Sequence, residues 1–205
     1  MKQVNKSAYN FKTYLHLDRW VSYHHQIQEV LSKNPSTILE IGVGDGVLKD
    51  YLQHNSSVFY TNVDVAEDLH PDVIGSVDQL PFKDNEFDMV VAFEVLEHLP
   101  FGKFDQCIRE MSRVSKKHVL ISLPHFGPPI KLCIKIPFLP QIKFSCKIPF
   151  PKTHVFNGQH YCEIGKKGYS TERIRSALKN HFLITKEFIP FENQYHHFFI
   201  LEKKI

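Results

Sequence analysis

The stretch Ile38-Leu-Glu-Ile-Gly-Val-Gly-Asp-Gly-Val-Leu48 constrains this chain more than any other. A β-branched run, Thr37–Ile41, leads into glycines at Gly42, Gly44 and Gly46, and a helical pattern follows through Gln53. Glycine adopts positive φ readily and lets the backbone approach a ligand closely. Strand, glycine turn and helix, in that order, form the first unit of an open α/β sheet with a ligand site at the turn. A pyrophosphate site there uses the spacing G-x-G-x-x-G. Here the spacing is G-x-G-x-G, with acids at Glu40 and Asp45. Two carboxylates repel a pyrophosphate and suit a ligand bearing an ammonium and a sulfonium. A nicotinamide dinucleotide is correspondingly disfavoured.

The rest of the chain continues the alternation. Apolar residues at Leu15, Trp20, Ile27, Val30 and Leu31 predict one amphipathic helix over about 15–33, ended before Pro35. Strands are expected at Val58–Val65, ending on Asp64, and at Val73–Ile74. The run Phe87–Phe93 is almost continuously apolar, as a parallel strand buried on both faces should be. A helix over Phe104–Val114 and a strand over His118–Leu123 follow. After a break, a helix near Thr171–Asn180 is opened by Ser170 or Thr171 as N-cap. Two closing strands, Phe182–Phe188 and Tyr195–Glu202, pair most simply as antiparallel neighbours. At 205 residues the chain fits one domain, with an N-terminal helical cap over 1–34.

The segments ILEIGVGDG, NVDV, GSVDQLPFKDNEFDMVVAFEVLEHL and ISLPH, in this order, resemble the class I methyltransferase superfamily, above all its small-molecule branch, which includes the ubiquinone-biosynthesis O-methyltransferases. The resemblance implies a Rossmann-like α/β fold with a mostly parallel sheet of seven strands, the last antiparallel. It implies S-adenosylmethionine as cofactor. The Glu40–Gly46 loop, with Gly42 and Gly44, would cradle the methionyl part. Asp64, with Val65 beside it, would bind the ribose, an assignment that the acid at the end of the second strand also supports. Ser76 and Val77 would flank the adenine, and Phe93 and Glu94 would line the pocket. Many relatives have Asp where this chain has Ser76. Asp78 lies two positions on, so either side chain is a candidate for the adenine amine.

Methyl transfer requires chiefly an in-line placement of acceptor and sulfonium. A hydroxyl acceptor also needs its proton removed or its oxyanion stabilised. Glu94-Val-Leu-Glu97-His98 stands at the carboxyl end of the fourth strand, and a helical turn there would bring its ionisable groups onto one face. Two carboxylates and an imidazole make a candidate site for a divalent metal such as Mg2+, with His160 completing the set. The resemblance points the same way, since some relatives hold a metal with a similar EVxEH segment. In others the segment only packs. Without a metal, His98 or His125 is the candidate general base. His196 and His197 are adjacent in a strand and must face opposite sides.

Residues 124–157 hold most of the prolines and no helical period, and KLCIKIPF (Lys131–Phe138) is echoed by KFSCKIPF (Lys143–Phe150). This Pro/Lys-rich segment reads as an inserted lid, expected to pack its apolar side down and solvate its lysines. It is also a candidate for peripheral contact with a membrane surface, where lysine and apolar side chains act together. The acceptor expected is a small molecule or a glycan- or lipid-linked intermediate, methylated on oxygen. RNA is the alternative, disfavoured by a formal charge of only +3. A cofactor-binding scaffold without turnover is a further alternative. The N-terminus lacks a signal-like apolar run, no stretch reaches the roughly 20 apolar residues of a membrane span, and the four cysteines form no CxxC pair. A cytoplasmic protein is expected.

Overall fold

The computed structural model describes residues 7, 9–12, 14–150 and 152–204. The cap expected over 1–34 and the N-terminus read for a leader therefore lie partly outside the described residues. The elements are α1 (Leu17–Ser32), β1 (Thr37–Ile41), α2 (Val47–Asn55), β2 (Phe59–Asp64), β3 (Val73–Ile74), β4 (Phe87–Phe93), α3 (Phe104–Val114), β5 (Ser115–Pro124), β6 (Pro129–Ile134), β7 (Ile142–Lys147), α4 (Thr171–Lys179), β8 (Phe182–Phe188) and β9 (His196–Lys203). Seven strands form one sheet in the order β3-β2-β1-β4-β5-β9-β8. The ladders from β3 through β5 are parallel, while β9 runs antiparallel to both neighbours. This is the expected seven-stranded Rossmann-like sheet. No described helix is long and apolar enough to cross a membrane.

Strand alternation sorts the core into two layers. Leu39, Ile41, Val90, Ala92, Val119 and Ile121 pack with Ile108 and Met111 of α3 and with Ile174 and Leu178 of α4. The intervening Ile38, Met89, Val91 and Leu120 pack on the other face with Val30 of α1 and with Leu48 and Leu52 of α2. Both faces of the central strands are thus covered, which explains their unbroken apolar runs. Ser170 caps α4 by accepting the Arg173 N–H at 3.2 Å.

Strand order reverses between β1 and its neighbours β2 and β4. A crevice therefore opens at the carboxyl ends of these strands, the edge where such sheets bind ligands.

The 124–157 segment departs from expectation. It contains the antiparallel hairpin β6–β7, a two-stranded sheet separate from the main one. The two echoing sequences supply its two strands, because lysine and apolar residues alternate with the period of a strand and not that of a helix.

Candidate active site

The glycine loop is fixed by backbone geometry. Gly42, Gly44 and Gly46 have φ of 83°, 56° and 80°. A Cβ on Gly42 would lie 2.6 Å from Val95 Cγ2, whereas one on Gly44 or Gly46 would meet nothing within 4 Å. Gly42 is required by packing as well as by φ, and the other two by φ alone. The Gly42 N–H donates to the Val63 carbonyl at 2.9 Å. Asp64 accepts the N–H of Val43 at 2.9 Å and that of Ala66 at 2.8 Å. Its carboxylate thus ties the loop to the end of β2. Each carboxylate oxygen keeps acceptor capacity for a further donor.

These residues border a cavity of about 460 Å3, a size usual for small-molecule sites. Gly42, Gly44, Asp64, Val65, Ser76, Val77, Asp78, Phe93 and Glu94 all line it. Glu40 and Gly46 are not among its lining residues. Glu40 is buried, accepts from the Tyr60 hydroxyl, and has its carboxyl pushed well up by burial and by the charge of Asp45. Asp45 in turn accepts from the Tyr23 hydroxyl at 2.7 Å, which pins α1 to the loop. The Ser76 hydroxyl donates to Asp78 Oδ1, and Lys103 donates to Asp78 Oδ2 at 2.6 Å. Lys103, and after it Ser76, holds the Asp78 carboxyl below the usual range. The two candidates for the adenine amine therefore form one hydrogen-bonded unit.

Glu94 is a non-glycine residue at φ 55°, a conformation costing about 1–2 kcal/mol and typical of functional sites. Its Oε1 is buried with no hydrogen-bond partner among the described residues, and burial pushes its carboxyl up to about 8. Its Oε2 lies 3.6 Å from His196 Nε2. A buried carboxylate short of a cation beside a glycine loop fits a ligand that brings an ammonium and a sulfonium.

Beyond Glu94, a 310 turn at Leu96–His98 carries the next two candidates. Ligand atoms of Glu97, His98 and His160 all lie within 4.8 Å of one another. His98 Nε2 is 3.9 Å and His160 Nε2 is 4.0 Å from Glu97 Oε1. His98 Nδ1 donates to the Gln159 carbonyl at 3.2 Å, and His160 Nδ1 to Glu163 at 3.2 Å. These bonds orient both imidazoles with Nε2 toward the carboxylate, the usual outer support of metal-binding histidines. Glu97 is fully buried, and neither of its oxygens has a hydrogen-bond partner among the described residues; burial and the nearby Glu94 hold its carboxyl well up. Burial, then His160, pushes the His98 imidazole down to about 4. Glu94, the fourth candidate ligand, stands outside this cluster.

His125 is not brought to the cavity. It is buried, with Nδ1 3.0 Å from Nδ1 of a stacked His197, and it lines a separate cavity at the base of the hairpin. Burial pushes it down to about 3. The final strand reaches across to it: His197 points to His125 and Glu187, while His196 points to Ser22 and Glu94. The expected split onto opposite faces is observed.

Some lining residues escaped the sequence reading. Tyr9, Tyr14 and Arg19 approach from the N-terminal side. The Arg19 guanidinium lies 4.0 Å over the Tyr14 ring and donates to its hydroxyl at 3.0 Å. Helical periodicity placed only Arg19 of these three in the expected helix over about 15–33, and no motif marked Tyr9 or Tyr14. Gln159 and Tyr161 arrive from the loop before α4 and have no motif of their own.

Residues 39–123 match the family model of a methyltransferase domain. Solved structures share the fold at low identity. An N-methyltransferase, NodS, from Bradyrhizobium japonicum WM9, in complex with S-adenosyl-L-homocysteine, is 12% identical with a TM-score of 0.65 over 99% of this chain and 95% of that one. Magnesium protoporphyrin IX methyltransferase from Synechocystis PCC 6803, with bound SAM, is 15% identical with a TM-score of 0.61 over 100% and 86%. The 1,6-didemethyltoxoflavin-N1-methyltransferase from Burkholderia thailandensis is 15% identical with a TM-score of 0.59 over 91% and 86%. Among curated proteins none matches this chain significantly. Residues 39–123 thus match a methyltransferase domain, and the chain shares the fold of these solved methyltransferases.

Proposed function

We propose that this chain transfers the methyl group of S-adenosylmethionine to an oxygen of a small molecule or a glycan- or lipid-linked acceptor. The cluster of Glu97, His98 and His160 on the cavity carries this reading. An amine acceptor that is already neutral needs only placement, whereas a hydroxyl needs a base or a Lewis acid at its oxygen. Two of the proteins similar in fold are named as methyltransferases of small molecules, which supports that acceptor class.

The chain's own residues divide the work. The glycine loop and Asp64 hold the cofactor, and Glu94 gives its positive charge a buried counter-charge. Phe93 and Val77 supply apolar walls. His98 is neutral at physiological pH, with its proton on Nδ1, so its Nε2 accepts a proton from the acceptor hydroxyl. With the His98 Nε2 lone pair given to a metal instead of a proton, Glu97, His98 and His160 would hold a divalent cation. The orphaned Glu97 carboxylate and two oriented imidazoles fit one, and they suit Mn2+, Fe2+ or Zn2+ better than Mg2+, which prefers oxygen donors. When bound, such an ion lowers the pKa of a coordinated hydroxyl.

Formation of S-adenosylhomocysteine, followed across hydroxylated and amine acceptors, tests the reading. Turnover of hydroxylated acceptors that is lost in His98→Ala, with cofactor affinity retained, is expected. Turnover confined to amines would overturn oxygen as the target. Activity indifferent to chelator and to His160→Ala would remove the metal and leave His98 as base.

A further inference from the structure

The hairpin β6–β7 is amphipathic, and it is mounted the opposite way round from a lid that closes on its own protein. Its register sets Ile130, Leu132 and Ile134 opposite Cys146, Phe144 and Ile142 on one face, and Lys131 and Cys133 opposite Ser145 and Lys143 on the other. The contacts with the body come from the lysine face, whose Lys131, Cys133 and Lys143 are also exposed to solvent. The Lys131 and Lys143 ammonium groups lie 4.7 and 5.5 Å from the Phe191 ring centroid, and Lys143 pairs with Glu192. Gln194 donates to the Ser145 hydroxyl at 3.1 Å, and Lys147 donates to the carbonyls of His125 at 2.7 Å and Gly127 at 2.9 Å. The apolar face is turned to solvent: its isoleucines, leucine and phenylalanine are 41–61% exposed. The surface continues through Ile136, Phe138 and Leu139 at the turn, where Phe138 is wholly exposed, and through Ile148 and Phe150 at the exit. A lone two-stranded hairpin is marginal in water, and a contiguous apolar surface of this kind marks an interaction site.

Charge identifies the occupant. No Asp or Glu occurs from Met111 through Cys162, while the insert holds Lys131, Lys135, Lys143, Lys147 and Lys152. At the base of the hairpin, Ile148 and Phe150 share one cavity with Lys147, Lys166, Lys167 and Arg173, and among the described residues no carboxylate lines it. The insert offers no carboxylate to neutralise the lysines of a second copy laid beside it. An anionic bilayer takes apolar side chains into its headgroup–acyl boundary and attracts lysines to its surface. We propose that the β6–β7 hairpin docks this protein on an anionic membrane surface. Ile130, Leu132, Ile134, Phe138 and Phe144 enter the boundary, and the lysines on the opposite face and at the turn lie at headgroup level.

This proposal is independent of the methyl-transfer reading, and its test needs neither acceptor nor turnover. The full chain is sedimented with vesicles of phosphatidylcholine alone and of phosphatidylcholine mixed with phosphatidylglycerol, at low and physiological salt. Partitioning onto the mixed vesicles at low salt is expected to exceed that onto neutral ones by about tenfold or more, and to fall as salt is raised. Leu132→Asp with Phe138→Asp, both at exposed positions, should cut partitioning by at least about tenfold while leaving the calorimetric isotherm for S-adenosylmethionine unchanged. Phe138→Ser serves as a milder variant that should show a smaller loss. Equal partitioning of wild type and both variants would overturn the proposal, as would failure to bind the mixed vesicles. So would a dimer in light scattering that the double variant dissociates, since the face would then belong to a second copy.

Discussion

Two aromatic side chains separate the two halves of this molecule. Phe199 on β9 is fully buried beneath α3 and α4, while Phe138 at the tip of the hairpin is fully exposed. Around Phe199 every element has a covering partner, and the apolar surface is used up within the chain. Around Phe138 the pattern is just as ordered, with strict alternation and a paired register, but its apolar face has no partner among the described residues. The same rule of strand alternation therefore specifies a core in one region and a contact surface in the other. The first region is self-sufficient in stability, and the second is not.

The largest effect should come from removing the buried ring. Phe199→Ala is expected to lower the unfolding free energy by about 3–5 kcal/mol, through lost transfer energy and an unfilled cavity, as read by urea denaturation. A loss below about 1 kcal/mol would mean that β9 is not the packed centre described here.

Asp64 joins stability to the site. Asp64→Ala removes a carboxylate that accepts two backbone N–H groups, each such bond contributing about 1.5–3 kcal/mol. A stability loss of about 2–4 kcal/mol is expected, together with S-adenosylmethionine binding weakened by about 1–3 kcal/mol in calorimetry. Weakened stability with unchanged cofactor affinity would make Asp64 a fastening of the loop and not a ribose ligand.

That double role explains how far the sequence could be read. The glycine loop, Asp64 and the sheet were legible because each is a local signal: a turn needing positive φ, an acid at a strand end, an unbroken apolar run. The meeting of Glu97 and His98 with His160 was also anticipated, though it spans more than sixty positions. Three features were not legible, because they depend on tertiary placement. Glu40 carries the same motif as the lining residues but sits behind the loop against Tyr60. His125 follows β5 at the expected edge, yet it is drawn away by His197 on a neighbouring strand. Tyr9 and Tyr14, which precede α1, and Arg19 on it reach the cavity through tertiary placement that no local signal gives. The inward lysine face of the hairpin is a fourth case, since alternation tells which residues share a face and not which way it points.

Buried titratable groups separate the regions by pH. Burial pushes His98 down to about 4, and His125 and His196 down to about 3. Below about pH 6.5 the unfolded chain takes up protons that these folded imidazoles refuse, so their contribution is lost as pH falls toward 4. Glu94 acts in the opposite direction. Its folded carboxyl keeps a proton up to about pH 8 that the unfolded chain releases above about 4.5, so stability falls as pH rises across that interval. Three imidazoles outweigh one carboxyl below about pH 6.5, so urea midpoints should peak near pH 6.5 and fall on either side. A cationic ligand beside Glu94 favours its charged form and weakens the alkaline arm, so S-adenosylmethionine should stabilise more at pH 8 than at pH 5. Equal stabilisation at both would separate Glu94 from the cofactor.

The smallest effect should come from the exposed ring. Phe138→Ala removes the same atoms as Phe199→Ala, but they are already in water, and a surface change of this kind normally moves stability by no more than about 0.5 kcal/mol. The near-zero value is informative because it is paired with the large one. If Phe138→Ala cost more than about 1 kcal/mol in the free protein, the hairpin would have to pack on the body in solution, its apolar face inward. That result would make the segment an ordinary lid. With no cost in the free protein, whatever the ring contributes arises only when another surface covers it.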